Sequence, residues 1–256
     1  VTAMLEASAA FRDRCRKGEI VAGTFQKTPS PQISEVLALS GIDFVILDAE
    51  HAPFGIEAID HILGVTASRG FPVLVRVPDH RAAFIGVCLD AGAAGIVLPH
   101  VVDRRTAEAA VAAARFAKDG RGLSPSGRAG NYGGAALGDF MEASNRAVSL
   151  WCQIEDRDAI DRLDEICAVE GIDALFVGRA DLMRSLGAGS MLDPAVERAS
   201  ERVAEAGQRA GKALAIMIAS PEEAPRWRAL GYSIFIVGTE QAMLKSAARA
   251  AKAAFV

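Results

Sequence analysis

The stretch ILDAEHAPFG, residues 46–55, ends an apolar run at Asp48 and then sets Glu50 and His51 beside it. Other apolar runs end in the same manner. VLVRVP delivers Arg76, VLPHV delivers His100, WCQIED delivers Gln153 and Glu155, and FVGRADL delivers Asp181. An aspartate next to an imidazole can orient it and raise its basicity, which makes His51 with Asp48 a candidate general base. A guanidinium at a strand end, Arg76, can hold a developing oxyanion. Two carboxylates forced close together repel, so one takes a proton or both hold a cation. A small set of oxygen ligands suits Mg²⁺ or Mn²⁺, with water and substrate completing the shell.

Each residue also has a plainer reading. Asp48 or Asp181 alone could cap the next helix. Arg76 could simply neutralise a carboxylate, and His51 could be a satisfied core histidine. His100 stays open between the two. His61 and His80 fall in helical patterns and read as surface or packing residues. Arg121 and Arg128 lie in the Gly-rich segment 119–139, which lacks the spacing of a phosphate-binding loop. A lid or a subunit contact suits that segment better.

The elements that would position these residues are legible. A helical stretch, a glycine and a continuous apolar run recur along the chain, at Gly41, Gly70, Gly92, Gly171 and Gly231. Glycine there supplies the left-handed residue that ends a helix. Unbroken apolar runs are strands buried on both faces, as in parallel sheets. Ser30-Pro31, Asp193-Pro194 and Ser220-Pro221 read as helix starts. Strands are expected to begin near residues 20, 43, 72, 95, 150, 173, 213 and 232. Eight βα units in this length predict a (β/α)8 TIM barrel spanning 1–256 as one domain, with 119–139 as a loop insertion. A doubly wound sheet is disfavoured because TFQKTPSP, after the first strand, is no Gly-rich phosphate turn. In a barrel the active site lies at the C-terminal strand ends, which is where Asp48, Glu50, His51, Arg76, His100, Gln153, Glu155 and Asp181 fall. Glu155 and Asp181 then share one side of the mouth, with Asp48, His51 and Arg76 on the adjoining side.

Bulk properties narrow the function classes. The chain has 256 residues, is 51% hydrophobic and 23% charged, and carries a formal net charge of −4. No basic stripe suggests a nucleic-acid partner, and no apolar run is long enough to cross a bilayer. The N-terminal stretch lacks the apolar core of a secretory signal. The four cysteines, Cys15, Cys88, Cys152 and Cys167, form no CxxC pair. They read as buried thiols in a reducing cytoplasm.

Taken in order, ILDAEHAPFG, VLVRVP, GIVLPHV, the Arg121-Gly122 pair, QIED and FVGRADL resemble the HpcH/HpaI family of metal-dependent pyruvate aldolases. The resemblance runs from GTFQ to the final helix. It implies a lyase that cleaves or forms 4-hydroxy-2-oxo acids, giving pyruvate and an aldehyde, with a place in aromatic or sugar-acid breakdown. By position it assigns Glu155 and Asp181 as ligands of Mg²⁺, Mn²⁺ or Co²⁺, and His51 with Asp48 as the base. Arg76 would face the enolate oxygen, and Gln153 and the Gly178–Asp181 backbone, including Ala180, would bind pyruvate. It further implies a homo-oligomer, a trimer or hexamer with an exchanged C-terminal helix, and Asp90 as a residue reaching a neighbouring subunit. One departure stands out: Arg179 occupies a position where the family usually carries proline. It could narrow the acceptor pocket, bind an acidic aldehyde or point into solvent. A CoA-thioester lyase of the same superfamily, and a barrel that binds a 2-oxo acid without catalysis, are the alternatives.

Overall fold

The computed structural model describes residues 2–253 and 255. Eight parallel strands close a barrel in sequence order. They are β1 (Val21–Gln26), β2 (Phe44–Asp48), β3 (Val73–Arg76), β4 (Gly95–Leu98), β5 (Ser149–Ile154), β6 (Ala174–Val177), β7 (Ala213–Ile218) and β8 (Ile234–Thr239). Each begins within two residues of its expected start. The glycines at 41, 70, 92, 171 and 231 have φ of 87°, 59°, 106°, 93° and 90°, the left-handed conformation expected of them. The helix starts agree less well. Asp193 caps its helix by accepting from the Ala195 N–H, but Ser30 and Ser220 make no side-chain cap. There the proline alone sets the first turn.

The helices are α1 (Ala3–Arg16), α2 (Pro31–Leu39), α3 (Ile56–Ala67), α4 (Ala82–Asp90), α5 (Arg104–Ala114), α6 (Leu137–Ala147), α7 (Arg157–Asp161), α8 (Leu163–Cys167), α9 (Arg179–Leu186), α10 (Pro194–Arg209), α11 (Ala224–Ala229) and α12 (Glu240–Ala253). Two apolar layers hold the fold. Phe25, Phe44, Ile46, Leu74, Val97, Trp151 and Phe176 fill the barrel, and a larger cluster lies between the strands and the helices. Helix α1 sets Phe11 against this interior, its ring centroid 5.3 Å from Phe44 and 6.3 Å from Trp151. Arg12 and Arg115 fix that end by donating to Asp173 at 2.8 Å each. The C-terminal strand ends lie on the opposite face of the barrel.

Several side chains lie elsewhere than expected. His80 is in the loop before α4, with Nε2 2.6 Å from the Pro99 carbonyl. Arg121 and Arg128 are committed within the chain, so they form no phosphate cradle. Arg121 donates to Asp90 and to Ser144 Oγ, and Arg128 donates to Asp60 at 2.7 Å. The Gly-rich segment is partly ordered as a 3₁₀ turn, Arg128–Gly133, in which Asn131 and Tyr132 have φ of 54° and 51°. All four cysteines are free and buried. Burial pushes the thiols of Cys15, Cys88 and Cys152 up to about 12 and that of Cys167 to about 11, so they are inert packing groups.

Candidate active site at the C-terminal end of the barrel

A cavity of about 240 Å³ opens at the strand C-termini. Its lining includes Arg76, Gln153, Glu155, Gly178, Arg179, Ala180 and Asp181. Seven of the residues chosen from the sequence therefore meet in one space. The β5–β6 pairing aligns Gln153 with Phe176 and Ile154 with Val177, which carries Glu155 and the Gly178–Asp181 turn to the same level. A Cβ at Gly178 would stand 2.5 Å from Glu155 Oε2 and 2.9 Å from Gln153 Nε2. Only glycine lets the turn pass so close to that carboxylate.

Glu155 is 1% exposed. Its Oε1 accepts from the His100 backbone N–H at 2.9 Å, and its Oε2 contacts Gln153 Nε2. Burial drives the Glu155 carboxyl above the ordinary glutamate range, these hydrogen bonds oppose the rise, and the charge of Glu50 adds to it. Among the described residues, Gln153 Oε1 and Glu50 Oε2 are buried without a hydrogen-bond donor. Buried oxygen acceptors without a donor thus stand beside two cations, Arg76 and Arg179, that are already ion-paired to other carboxylates. That donor set fits a hard divalent cation. Glu155 and Asp181 would be its carboxylate ligands, leaving positions for water and substrate.

Asp48 departs from the expected dyad. Its carboxylate does not reach the His51 imidazole; it accepts from the His51 backbone N–H at 3.1 Å. The β2–β3 register sets Asp48 opposite Arg76. Arg76 Nη2 and Nε lie 2.8 and 3.0 Å from Asp48 Oδ1, and Lys27 Nζ lies 2.9 Å from Oδ2. Burial opposes the Asp48 charge, but Arg76, Lys27 and the His51 N–H outweigh it and hold the carboxyl below the usual aspartate range. Arg76 is held in turn over the Phe25 ring, 4.6 Å from its centroid. Lys27, in the loop after β1, is part of this cluster.

His51 stands on the rim, with Nε2 3.8 Å from Glu50 Oε2. Glu50 also lies 3.2 Å from Arg76 Nε, outside hydrogen-bond alignment, and 3.6 Å from His100 Nε2. The carboxylate beside the two imidazoles is therefore Glu50, a residue at the strand end to which the sequence reading gave no role. His100 occupies a left-handed backbone position, φ 51°. Its Nδ1 is 2.9 Å from Asp156 Oδ2. Burial disfavours its charge, yet Asp156, Glu155 and Glu50 together raise its pKa above the ordinary histidine value.

Arg179 does not point into solvent; it is 5% exposed. Its Nε and Nη2 donate to the Met217 carbonyl at 3.0 and 2.7 Å, and Nη1 donates to Glu223 at 2.8 Å. The guanidinium also lies over Trp227, 5.4 Å from the ring centroid. Glu223 continues the network by accepting from the Ala219 N–H at 2.7 Å. Asp90, at the end of α4, does not line the cavity and pairs with Arg121.

Comparison with known proteins finds relatives in both sequence and fold. The family model described as HpcH/HpaI aldolase/citrate lyase matches residues 22–247. A 5-keto-4-deoxy-D-glucarate aldolase of Shigella dysenteriae is 33% identical over 240 residues, 93% of each chain. A crystal structure of an HpcH/HpaI aldolase/citrate lyase family protein from Burkholderia cenocepacia superposes with a TM-score of 0.90 at 32% identity, covering 96% of this chain and 98% of the other. The citrate synthase SbnG superposes with a TM-score of 0.86, also at 32% identity, over 95% of this chain and 96% of its own. A family model matched over residues 22–247 and a relative 33% identical across 93% of each chain show that the chain belongs to the HpcH/HpaI aldolase/citrate lyase family.

Proposed function

We propose that this protein is a metal-dependent aldolase that cleaves a 4-hydroxy-2-oxo acid to pyruvate and an aldehyde, and runs the reverse addition. The observation that carries the reading is the pairing of two acidic residues, Glu155 and Asp181, with Arg76 and Gln153 around one cavity. When bound by Glu155 and Asp181, a divalent cation such as Mg²⁺, Mn²⁺ or Co²⁺ would supply Lewis acidity to the keto and carboxylate oxygens of the 2-oxo acid.

The chain's own residues supply the rest. The backbone from Gly178 to Asp181, with Gln153, faces the pyruvate half. His51, on the rim beside Glu50, takes the proton of the C4 hydroxyl, directly or through a water. The C3–C4 bond then breaks, its electron pair passing into the C2 carbonyl to give the pyruvate enolate and the free aldehyde. Arg76, held in place by Asp48, presents its guanidinium to the enolate oxygen as charge builds there. Asp48 therefore serves as anchor for the arginine and for the His51 backbone, and the imidazole takes its carboxylate neighbour from Glu50. Protonation of the enolate carbon completes pyruvate.

Helix α12 supports self-association. Of its described residues only Glu240 is buried, while Met243 and Leu244 are 37% and 68% exposed. The Glu240 carboxylate ties the start of this helix to the backbone N–H groups of Lys27 and Thr28, at 2.9 and 2.7 Å. The rest of the helix is available to a neighbouring copy in a trimer or hexamer, and Asp90 would reach a site only across such a contact. Among the described residues no helix is long and apolar enough to cross a membrane. Four reduced, buried thiols suit the cytoplasm.

The test is exchange of the pyruvate methyl hydrogens with solvent deuterium in the presence of Mg²⁺ or Mn²⁺, followed by aldol addition to a panel of aldehydes. Exchange with addition is expected. Absence of both across the panel would contradict the reading.

A further inference from the structure

Resting on that reading, we infer that the acceptor half of the cavity takes an uncharged, apolar aldehyde in preference to an acidic one. Beyond the pyruvate-facing residues and Arg179 the lining consists of Phe25, Phe176, Met191, Met217, Ile218 and Ala219. Two cations line the cavity, and both are engaged. Arg76 is bound to Asp48 and faces Glu50. Arg179 lies beside the acceptor wall, but its guanidinium is committed to the Met217 carbonyl and to Glu223, over the Trp227 ring. Lys27 is outside the lining and is ion-paired with Asp48.

A carboxylate on the aldehyde would have to shed water against methionine and isoleucine side chains without gaining a partner, which is strongly unfavourable. An aliphatic chain would lose nothing and would bury its methylenes there. The consequence separates this chain from the relatives named for 5-keto-4-deoxy-D-glucarate. That six-carbon diacid cleaves to pyruvate and a three-carbon aldehyde that itself carries a carboxylate. Arg179 here holds the wall together: it ties the start of α9 to the end of β7 and to Glu223, just ahead of α11, and so keeps Met217 and Ala219 in place. It acts on specificity as a positioning residue.

The experiment compares kcat/KM for addition of pyruvate to ethanal, propanal and butanal with that for glyoxylate and succinate semialdehyde, using metal-loaded enzyme. The values should climb roughly three- to fourfold for each added methylene. Butanal should exceed succinate semialdehyde by about tenfold or more. Glu223→Gln, which frees Arg179 from its anion, and Met191→Arg, on a rim residue 42% exposed, should each raise the ratio for acidic over neutral aldehydes. An acidic aldehyde used as well as or better than butanal by the unaltered enzyme overturns the inference, even with aldol activity intact. Loss of pyruvate methyl exchange together with every addition overturns the aldolase reading, and the inference with it.

Discussion

Asp48 and Arg76 face each other across the β2–β3 register, with Arg76 Nη2 2.8 Å from Asp48 Oδ1. This pair, with Lys27 on the other oxygen, makes Asp48 the anchor of the Arg76 guanidinium. Replacing Asp48 by Asn should cost on the order of 3 kcal/mol near neutral pH, because two cations lose their buried counter-ion. The cost should depend on pH. The folded-state carboxyl lies below the ordinary aspartate value of 3.8, so the unfolded chain takes up its proton first as the solution is acidified. The stabilisation is full above that value and drains away as pH falls through the folded-state pKa. Urea melts of both proteins should show a constant gap down to about pH 5 that narrows below about pH 4. A gap that is the same at all pH values would mean that the ion pair contributes nothing.

Glu155→Ala and Asp181→Ala should each weaken divalent-metal binding by more than about 100-fold, the upper range seen for losing a mere supporting partner of a ligand. Calorimetric titration with Mn²⁺ measures this directly, and circular dichroism should show the barrel intact. Removal of Glu155 also relieves a buried carboxyl whose charge the surroundings disfavour, so the metal-free variant should melt no lower than the metal-free parent. Metal affinity unchanged in either variant would exclude that residue as a ligand.

His51→Ala should reduce aldol turnover by about 10²–10⁴ while pyruvate affinity changes little, because the imidazole sits on the rim and not among the cavity-lining residues. Glu50→Gln, which removes the carboxylate beside both imidazoles, should lower the pKa of His100, to whose rise Glu50 contributes, as read by NMR titration of its ring. Weakened pyruvate binding with full turnover in the His51 variant would make His51 a binding residue.

Arg179→Pro places the residue that the family resemblance leads one to expect at the first position of α9, where proline is sterically accepted. It strips Glu223 and the Met217 carbonyl of their donors. Thermal and urea melts should show a loss on the order of 3 kcal/mol, with pyruvate methyl exchange largely retained. Unaltered stability would mean that the Arg179 network contributes nothing to the rim.

The barrel was legible because each strand is an unbroken apolar run and each preceding helix stops at a glycine. Gly41 and Gly92, with φ of 87° and 106°, do what their place after a helix predicts. The site was legible as a set of strand ends, since chain order is spatial order in this fold. Its pairings were not. Adjacency of Asp48 and His51 in sequence suggested a dyad, yet side chains two or three residues apart at a strand end diverge, and the partners of Asp48 come from β3 and from the loop after β1. The partners of Arg179 lie 38 and 44 residues away, beyond any local pattern. Ser30 and Ser220 show the same limit on a smaller scale, where a capping residue type precedes proline and makes no cap.

Lys27 directly follows the C-terminal end of β1 and is held in an ion pair with Asp48 at 2.9 Å, 28% exposed. A Schiff-base lysine needs an uncharged amine in a desolvating pocket. Borohydride added with pyruvate should therefore trap no adduct, as judged by intact mass. A pyruvyl adduct on Lys27 would replace the metal mechanism with a covalent one.

The most direct test of the account is pyruvate release from a 4-hydroxy-2-oxo acid by enzyme stripped with chelator and then supplied with Mg²⁺ or Mn²⁺. Activity should vanish on stripping and return with the metal in the parent protein, and fail to return in Glu155→Ala. Full pyruvate release from the stripped enzyme, or restoration by metal in the Glu155 variant, would contradict it.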